Sequence, residues 1–67
     1  MPFVNSTAIR RIEYDSDTQT LSIWFTEGGG PYDYYQVPQE VYDRFLRAIS
    51  KGTFFNDFIR DQYSSNR

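Results

Sequence analysis

Aromatic side chains are the most concentrated chemical feature of this 67-residue sequence, of which they make up 19%. The segment PYDYYQV, residues 31–37, places Tyr32, Tyr34 and Tyr35 within four positions. In an extended strand, Tyr32 and Tyr34 share one face, while Tyr35 and Val37 share the other. Since every nucleic-acid base offers a π-face to a ring, exposed rings at this spacing could hold unstacked RNA bases.

The orientation of these rings decides what they can do. We predict that Tyr35 and Val37 face the core, because they lead directly into the following helix. Tyr32 and Tyr34 would then lie on the open face of the sheet, beside Trp24 of the neighbouring strand. Three uses of such a face stay open: cross-strand pairing that only stabilises the sheet, an interface with a protein or a second copy, and base stacking. In the opposite register, Tyr35 would be the exposed ring.

Basic side chains are the second candidate binding feature. Arg44, Arg47 and Lys51 stand at i, i+3 and i+7, which places them along one helix face that could contact phosphates. Acidic residues four positions before the two arginines would partly neutralise this stripe, so the alternative is an ordinary solvated face. The candidate nucleic-acid-binding residues are therefore Trp24, Tyr32, Tyr34, Arg44, Arg47, Lys51 and Arg60.

Catalysis and metal binding find little support in the residue types. The chain has no His and no Cys, which removes the usual zinc ligands, a thiol nucleophile and the commonest general base. The carboxylates stand mainly in turns or in helix ion pairs, and the segment EGGGP lacks the lysine and the following helix of a phosphate-binding loop. We predict no active site, no cofactor and no metal.

Length and composition indicate one small domain. The net charge of −2 argues against a strong nonspecific grip on a phosphate backbone. The sequence has no cysteine, no apolar leader and no membrane-spanning run, which predicts a soluble cytoplasmic protein with no membrane partner. We expect the domain to span residues 1–67 and its ends, residues 1–6 and 64–67, to fray.

Hydrophobic periodicity predicts three strands in the first half. TAIRRIEY (7–14), QTLSIWFT (19–26) and YDYYQV (32–37) are rich in strand-forming residues and are separated by the turns DSDT and EGGGP. The two isoleucines of the first strand, Ile9 and Ile12, are three positions apart, so a regular strand would place them on opposite faces. Either each face takes one, or a bulge near Arg10 and Arg11 realigns them. Short strands joined by turns predict an antiparallel meander.

Two helices follow from Pro38 onward. The first is predicted to end at Gly52 in the left-handed conformation, and Thr53 to cap the second, FFNDFIRDQY. We therefore predict an α+β fold of order β-β-β-α-α, in which a three-stranded antiparallel meander is followed by two helices packed on one face. The predicted core comprises Leu21, Ile23, Phe25, Val41, Phe45, Ile49, Phe55 and Phe58.

Four segments carry a likeness that runs from about Ser6 to about Tyr63: STAIRRIEYD, LSIWF, YDY followed by VPQEVY, and SKGTFFNDFIRDQY. With these segments the sequence resembles the KTSC domain family. Tyr32 and Tyr34 match the Y-x-Y motif of that family. Its C-terminal half is matched by Ser50, Gly52, Phe55, Asn56, Ile59 and Arg60.

The resemblance implies a domain that stands at the C-terminus of some lysyl-tRNA synthetases and also occurs as small stand-alone bacterial and phage proteins. It implies RNA as the suggested ligand of a family whose function is otherwise unassigned. The leading hypothesis is thus a non-enzymatic module that binds single-stranded or structured RNA. The alternative is a protein–protein interaction module, as a homodimer or a small accessory factor, that buries the aromatic sheet face.

Overall fold

Three antiparallel strands followed by two helices make up residues 8–66, the part of the chain that the computed structural model describes. The strands are β1 (Ile9–Asp15), β2 (Thr20–Phe25) and β3 (Gly29–Tyr34), and the sheet order is β1-β2-β3. The helices are α1 (Gln39–Arg47) and α2 (Lys51–Phe54), and α2 continues into one π-helical turn, Phe55–Ile59. This confirms the predicted α+β fold class. Across residues 8–66, neither helix has the length and apolar character needed to cross a membrane.

A bulge in β1 brings both of its isoleucines to the same face. Ile9 pairs with Phe25 and Ile12 pairs with Ile23, and the register shifts between Ile9 and Arg11. Ile9 is consequently buried, and Ile12 packs against the core. Of the two alternatives that the parity of these residues left open, the bulge is therefore the correct one.

β3 begins inside the glycine run, earlier than predicted. The turn after β2 is confined to residues 26–28, and β3 starts at Gly29, whose φ of 73° is one that glycine tolerates best. A Cβ on Gly30 would lie 2.8 Å from the carbonyl oxygen of Ile23 and 3.0 Å from the Cα of Trp24. Glycine at this position therefore allows the two strands to approach closely.

The tyrosines of β3 face the core, opposite to the prediction. Tyr32 and Tyr34 stand directly across from the two buried residues of β2, on the side that the helices cover. Tyr34 is 2% exposed, whereas Tyr35 is 39% exposed. The predicted ring face of Trp24, Tyr32 and Tyr34 is therefore wrong, and the alternative register, in which Tyr35 is the exposed ring, is correct.

The end of β3 explains this reversal. Val37 is fully buried although it stands three residues after Tyr34, a spacing that a continuous strand would place on opposite faces. The strand stops at Tyr34, and Gln36 adopts a φ of 59°, in a left-handed region uncommon for glutamine. This change of direction returns Val37 to the core side, so the parity of Val37 says nothing about the tyrosines.

The first helix ends earlier than predicted. α1 stops at Arg47, so Gly52 lies inside α2 and is not among the residues with positive φ. The predicted left-handed helix end at Gly52 is wrong. The cap of α2 is Ser50 rather than Thr53, because the Ser50 hydroxyl accepts a hydrogen bond from the Thr53 backbone N–H at 3.3 Å.

The core lies between the sheet and the helices. Its buried members are Ile9, Leu21, Ile23, Tyr34, Val37, Phe45, Phe55 and Ile59. Phe25 and Val41 pack against this cluster, as predicted. Ile49 and Phe58 were wrongly assigned to the core, since they are 101% and 47% exposed. The early end of α1 removes Ile49 from the apolar stripe of that helix.

Residues 64–66 cover the outer edge of β3. The Tyr35 N–H donates to the carbonyl oxygen of Ser64 at 2.9 Å, and the Asn66 N–H donates to that of Asp33 at 3.1 Å. In return, the Asp33 N–H donates to the side-chain oxygen of Asn66 at 2.9 Å. These bonds join residues 64–66, part of the C-terminal end expected to fray, to the edge of the sheet. The fraying expected of residues 1–6 and of residue 67 lies outside the described residues.

Tyr14 joins β1 to the segment that precedes α1. Its hydroxyl donates to the carbonyl oxygen of Val37 at 2.5 Å, and its ring stacks on Tyr42 with centroids 4.6 Å apart. Desolvation by burial, followed by the charges of Asp43 and Asp15, raises the pKa of the Tyr14 hydroxyl above its ordinary value. All three effects favour the neutral, hydrogen-bonded form.

We predict that Tyr14→Phe lowers the free energy of unfolding by about 1 kcal/mol at neutral pH, because it removes this hydrogen bond. The raised pKa means that the native protein holds the Tyr14 proton more tightly than the unfolded chain does. The stability difference between wild type and variant is therefore fully present below about pH 10 and shrinks as the pH rises through the native pKa. Urea unfolding at neutral and alkaline pH measures it. Tyr35→Phe is the exposed control, and an equal loss in both variants would contradict the assignment.

Candidate functional site

A cleft opens between the start of β1, the turn after β2 and the second helix. Its volume is about 490 Å³, within the range of small-ligand sites, roughly 300–1,000 Å³. We call it the Arg60 cleft; its lining residues are Ala8, Ile9, Phe25, Glu27, Gly28, Gly52, Phe55, Asn56 and Arg60.

Apolar side chains form the floor of the Arg60 cleft. Ile9 and Phe55 are buried members of the core, and Phe25 meets Phe55 edge to face, with ring centroids 5.3 Å apart and an interplanar angle of 69°. Gly52 forms part of the helical wall. A Cβ placed there would meet the Cβ of Ala8 at 3.6 Å, an ordinary contact, so this wall has room for a side chain.

Three polar side chains line the cleft above this floor. Glu27 belongs to the turn after β2, whereas Asn56 and Arg60 stand four residues apart on the second helix. Across residues 8–66, none of these three side chains makes a hydrogen bond or an ion pair with the protein. The cleft therefore offers a ligand a guanidinium for an anion, an amide that both donates and accepts, and a carboxylate that accepts.

A π-helical turn positions the arginine. The Arg60 backbone N–H donates to the carbonyl oxygen of Phe55 at 2.8 Å, five residues earlier, where an α-helix would use the residue four earlier. Turns of this kind are frequent at functional sites. Compared with an α-helix, this turn holds one additional residue, which lies between Asn56 and Arg60. The turn therefore sets the relative orientation of the two side chains that line the cleft.

The predicted nucleic-acid-binding residues do not form one surface. Trp24 lies half-buried on the open sheet face, and the guanidinium of Arg11 stands 5.0 Å from its ring centroid. Glu13 and Asp33 share that face, since both stand opposite Ser22 in the sheet register. Within the three strands, the open face thus carries the single ring of Trp24, with carboxylates near it and its nearest arginine already paired with Glu13.

The two predicted tyrosines, Tyr32 and Tyr34, contact residues that line the cleft. The hydroxyl of Tyr32 donates to the carbonyl oxygen of Gly28 at 2.7 Å, and its ring packs against Phe25 with centroids 5.7 Å apart. Tyr34 meets Phe55 edge to face, with centroids 5.4 Å apart. Because Tyr34 is buried, its ring has no face open to a base. These tyrosines hold the turn and the floor of the cleft.

The basic residues of the helices also separate. Arg44 is exposed on α1, with its guanidinium 5.6 Å from the ring centroid of Phe58, and Arg47 is exposed at the end of α1. Lys51 is only 9% exposed, and its amine donates to backbone carbonyl oxygens rather than facing solvent. The predicted stripe of Arg44, Arg47 and Lys51 is therefore wrong, because α1 ends before Lys51. Of the predicted set, Arg60 alone lines the cleft among the described residues.

Eight of the nine lining residues of the cleft were absent from the predicted binding set, and the ones that shape its polar wall are Glu27, Gly52 and Asn56. The spacing of four residues from Gly52 to Asn56 and from Asn56 to Arg60 places all three on one helix face, and this is the sequence signal that identifies the wall. Glu27 carries no comparable signal, because its position depends on how the turn folds against the helix.

Comparison with known proteins points to one family. The model of the KTSC domain matches residues 5–63. The crystal structure of a KTSC domain protein from Yersinia pestis superposes with a TM-score of 0.90 at 38% identity, covering 96% of this chain and 89% of that one. The fold and the sequence of that protein therefore agree with those of this chain over nearly their whole lengths.

Two curated relatives differ in how much of them the chain covers. A protein of Tsukamurella paurometabola is 43% identical over 60 residues, which are 90% of this chain and 88% of the relative. A lysine–tRNA ligase of Nostoc punctiforme is 39% identical over 57 residues, which are 85% of this chain and 10% of the ligase. The likeness to the ligase thus covers one small part of that enzyme.

Lys51 is expected to act on stability, because its amine donates to the carbonyl oxygens of Leu46 and Ala48, both at 2.9 Å. We predict that Lys51→Met lowers the free energy of unfolding by about 1–3 kcal/mol, since these carbonyls lose their donor while the apolar stem is kept. Arg47→Met, at an exposed position, is the matched control and should change stability by no more than about 0.5 kcal/mol. Chemical denaturation measures both, and an unchanged midpoint in Lys51→Met would refute the role.

Proposed function

The chain belongs to the KTSC domain family, and we propose that it is a small non-enzymatic binding module whose ligand is single-stranded RNA. One unstacked nucleotide of the RNA enters the Arg60 cleft. The observation that carries this proposal is the convergence of three polar side chains, none engaged elsewhere in residues 8–66, on a cleft floored by apolar rings.

Each part of the cleft suits one part of a nucleotide. The guanidinium of Arg60 presents paired N–H donors that match a phosphate. The amide of Asn56 can donate to and accept from a base edge, while the base lies against the apolar floor. The carboxylate of Glu27 accepts from a 2′-hydroxyl or an exocyclic amine. In this arrangement Glu27 contacts the sugar or the base, whereas a site for phosphate alone would have no use for a carboxylate.

The charges of the cleft favour one nucleotide over a long phosphate track. A single arginine faces a glutamate across the cleft, and the chain as a whole has a net charge of −2. Binding would then depend more on base contacts than on counterion release, so we expect a shallow salt dependence. Arg44 and Arg47 are exposed on α1, outside the cleft, and the proposal assigns them no contact with the bound nucleotide.

The lysine–tRNA ligase relative supports RNA as the ligand class. Its name places tRNA among the substrates of that enzyme, and one tenth of its length is similar to this chain. Structured RNAs present unpaired bases in their loops and at their ends, which is where proteins read single nucleotides. The proposal also replaces the stacking surface predicted at Trp24, Tyr32 and Tyr34 with the half-buried ring of Phe25 in the floor of the cleft.

We predict that the protein binds single-stranded RNA at about 50 mM salt and that Arg60→Ala weakens this binding about tenfold, the loss of one charge-assisted contact. The slope of log K against log salt should fall by about 0.7, the value for one phosphate on a single strand. Glu27→Gln should reduce any preference for RNA over DNA of the same sequence. Fluorescence anisotropy at about 50 and 200 mM salt measures all three.

Two matched variants locate the site. Gly52→Leu should fill the cleft and weaken binding as Arg60→Ala does, while circular dichroism confirms that the variant is folded. Arg44→Ala, an exposed arginine outside the cleft, should leave the affinity within about twofold. Equal losses in Arg44→Ala and Arg60→Ala would place binding on α1 instead of the cleft. No binding at the lower salt, with folded protein at high micromolar concentration, would overturn the proposal.

A further inference from the structure

Two aliphatic side chains are exposed where α1 ends. Leu46 is 46% exposed and Ile49 is 101% exposed. Leu46 lines two hollows: one of about 230 Å³ against β1 and Lys51, and one of about 290 Å³ beside Asp43 and Arg47. We call this region the Leu46 surface, and its outward-facing residues are Arg10, Leu46, Arg47 and Ile49.

The loop that carries Ile49 is held in place. The amine of Lys51 bonds to the carbonyl oxygens on both sides of Arg47, those of Leu46 and Ala48, at 2.9 Å each. The Ala48 N–H donates to the carbonyl oxygen of Phe45 at 3.2 Å. Single exposed apolar residues are ordinary, but here Leu46 lines both hollows at the end of α1, and Ile49 stands exposed three residues later on the fixed loop. Apolar residues exposed together in this way mark interaction sites.

The charges available around the Leu46 surface are mostly positive. The side chains of Arg10 and Arg47 make no hydrogen bond or ion pair within residues 8–66. Arg11, in contrast, pairs with Glu13 and lies over a ring on the open sheet face. Of the described residues that line the two hollows, Asp43 alone is acidic. A partner that meets this surface would therefore gain from carrying acidic groups.

We propose that the Leu46 surface docks an acidic segment of another protein. The segment places an aliphatic side chain in the hollow between β1 and Leu46, and its carboxylates face Arg10 and Arg47. Desolvation of Leu46 and Ile49 supplies the attraction, and the two arginines select the sign of the partner. Aliphatic side chains offer no π-face, so unpaired bases gain no ring stacking at this surface.

The same features disfavour two other occupants. In a two-fold dimer the surface would meet itself, which would bring together Arg10 and Arg47 of both copies, four positive charges, against two Asp43 carboxylates. A β-strand added along β1 would meet a bulge at Arg10 and a row of charged residues, both of which protect sheet edges against pairing. The partner is therefore recognised through side chains.

Selection from a phage-displayed library of random peptides tests the proposal without knowledge of the natural partner. The wild-type protein is the target, and the Leu46→Ser/Ile49→Ser double variant removes peptides that bind elsewhere. Both substitutions are at exposed positions, so the double variant is expected to fold. Selected peptides should combine leucine, isoleucine or valine with flanking Asp and Glu. A synthetic peptide of the selected sequence should shift the amide NMR signals of residues 9–12 and 46–51. Its affinity for the double variant should be lower than for wild type by at least about tenfold.

Charge reversal sharpens the test. Arg10→Glu/Arg47→Glu should lose the acidic peptides and select basic ones, whereas Arg44→Glu, on the same helix outside the surface, should keep the wild-type preference. Recovery of no peptides that prefer wild type, or of basic or aromatic ones, would overturn the proposal. So would a wild-type mass twice that of the double variant by light scattering, which would make a second copy the occupant. Oligouridylate shifting the same amides would assign the surface to RNA instead.

Discussion

The burial of Tyr34 holds three parts of the molecule together. Its ring stands opposite Leu21 in the sheet and meets Phe55 of the second helix edge to face, and its backbone forms a bridge with Ser65. A chain of this length without cysteine depends on packing alone, and a large ring buries roughly 150–250 Å². Since Phe55 is also the floor of the Arg60 cleft, the position of that floor depends on the same contact.

Local sequence patterns predict the elements of this fold better than the faces they present. The parity of Ile9 and Ile12 indicates a bulge as one of two alternatives, and the packing of both residues on the core side selects it. The face of β3 could not be inferred in the same way. Its parity is interrupted at Gln36, whose left-handed conformation glutamine rarely adopts, and no neighbouring residue signals the change.

The candidate site is predictable only where it lies on a helix. The regular spacing of Gly52, Asn56 and Arg60 is visible in the sequence, whereas Glu27 reaches the cleft through a turn that Tyr32 braces from the next strand. Glu27 was missed as a residue of the site, whereas Lys51 was assigned to the site and does not line it. A lysine on a helical repeat reads as a surface charge, and only the early end of α1 shows that its amine is committed to carbonyl oxygens of the preceding loop and helix.

The π-helical turn makes the cleft depend on the length of the chain as well as on its side chains. In an α-helix each residue adds about 100° of rotation, since there are 3.6 residues per turn. Deleting one residue within Phe55–Ile59 would restore regular α-helical bonding, so the helix itself would tolerate the loss. Arg60 would then stand three residues after Asn56, about 300° around a regular helix, whereas the wider π-helical turn holds it four residues after Asn56. A gene could therefore reshape this cleft by losing or gaining a single codon at Asp57 or Phe58, with every lining residue retained.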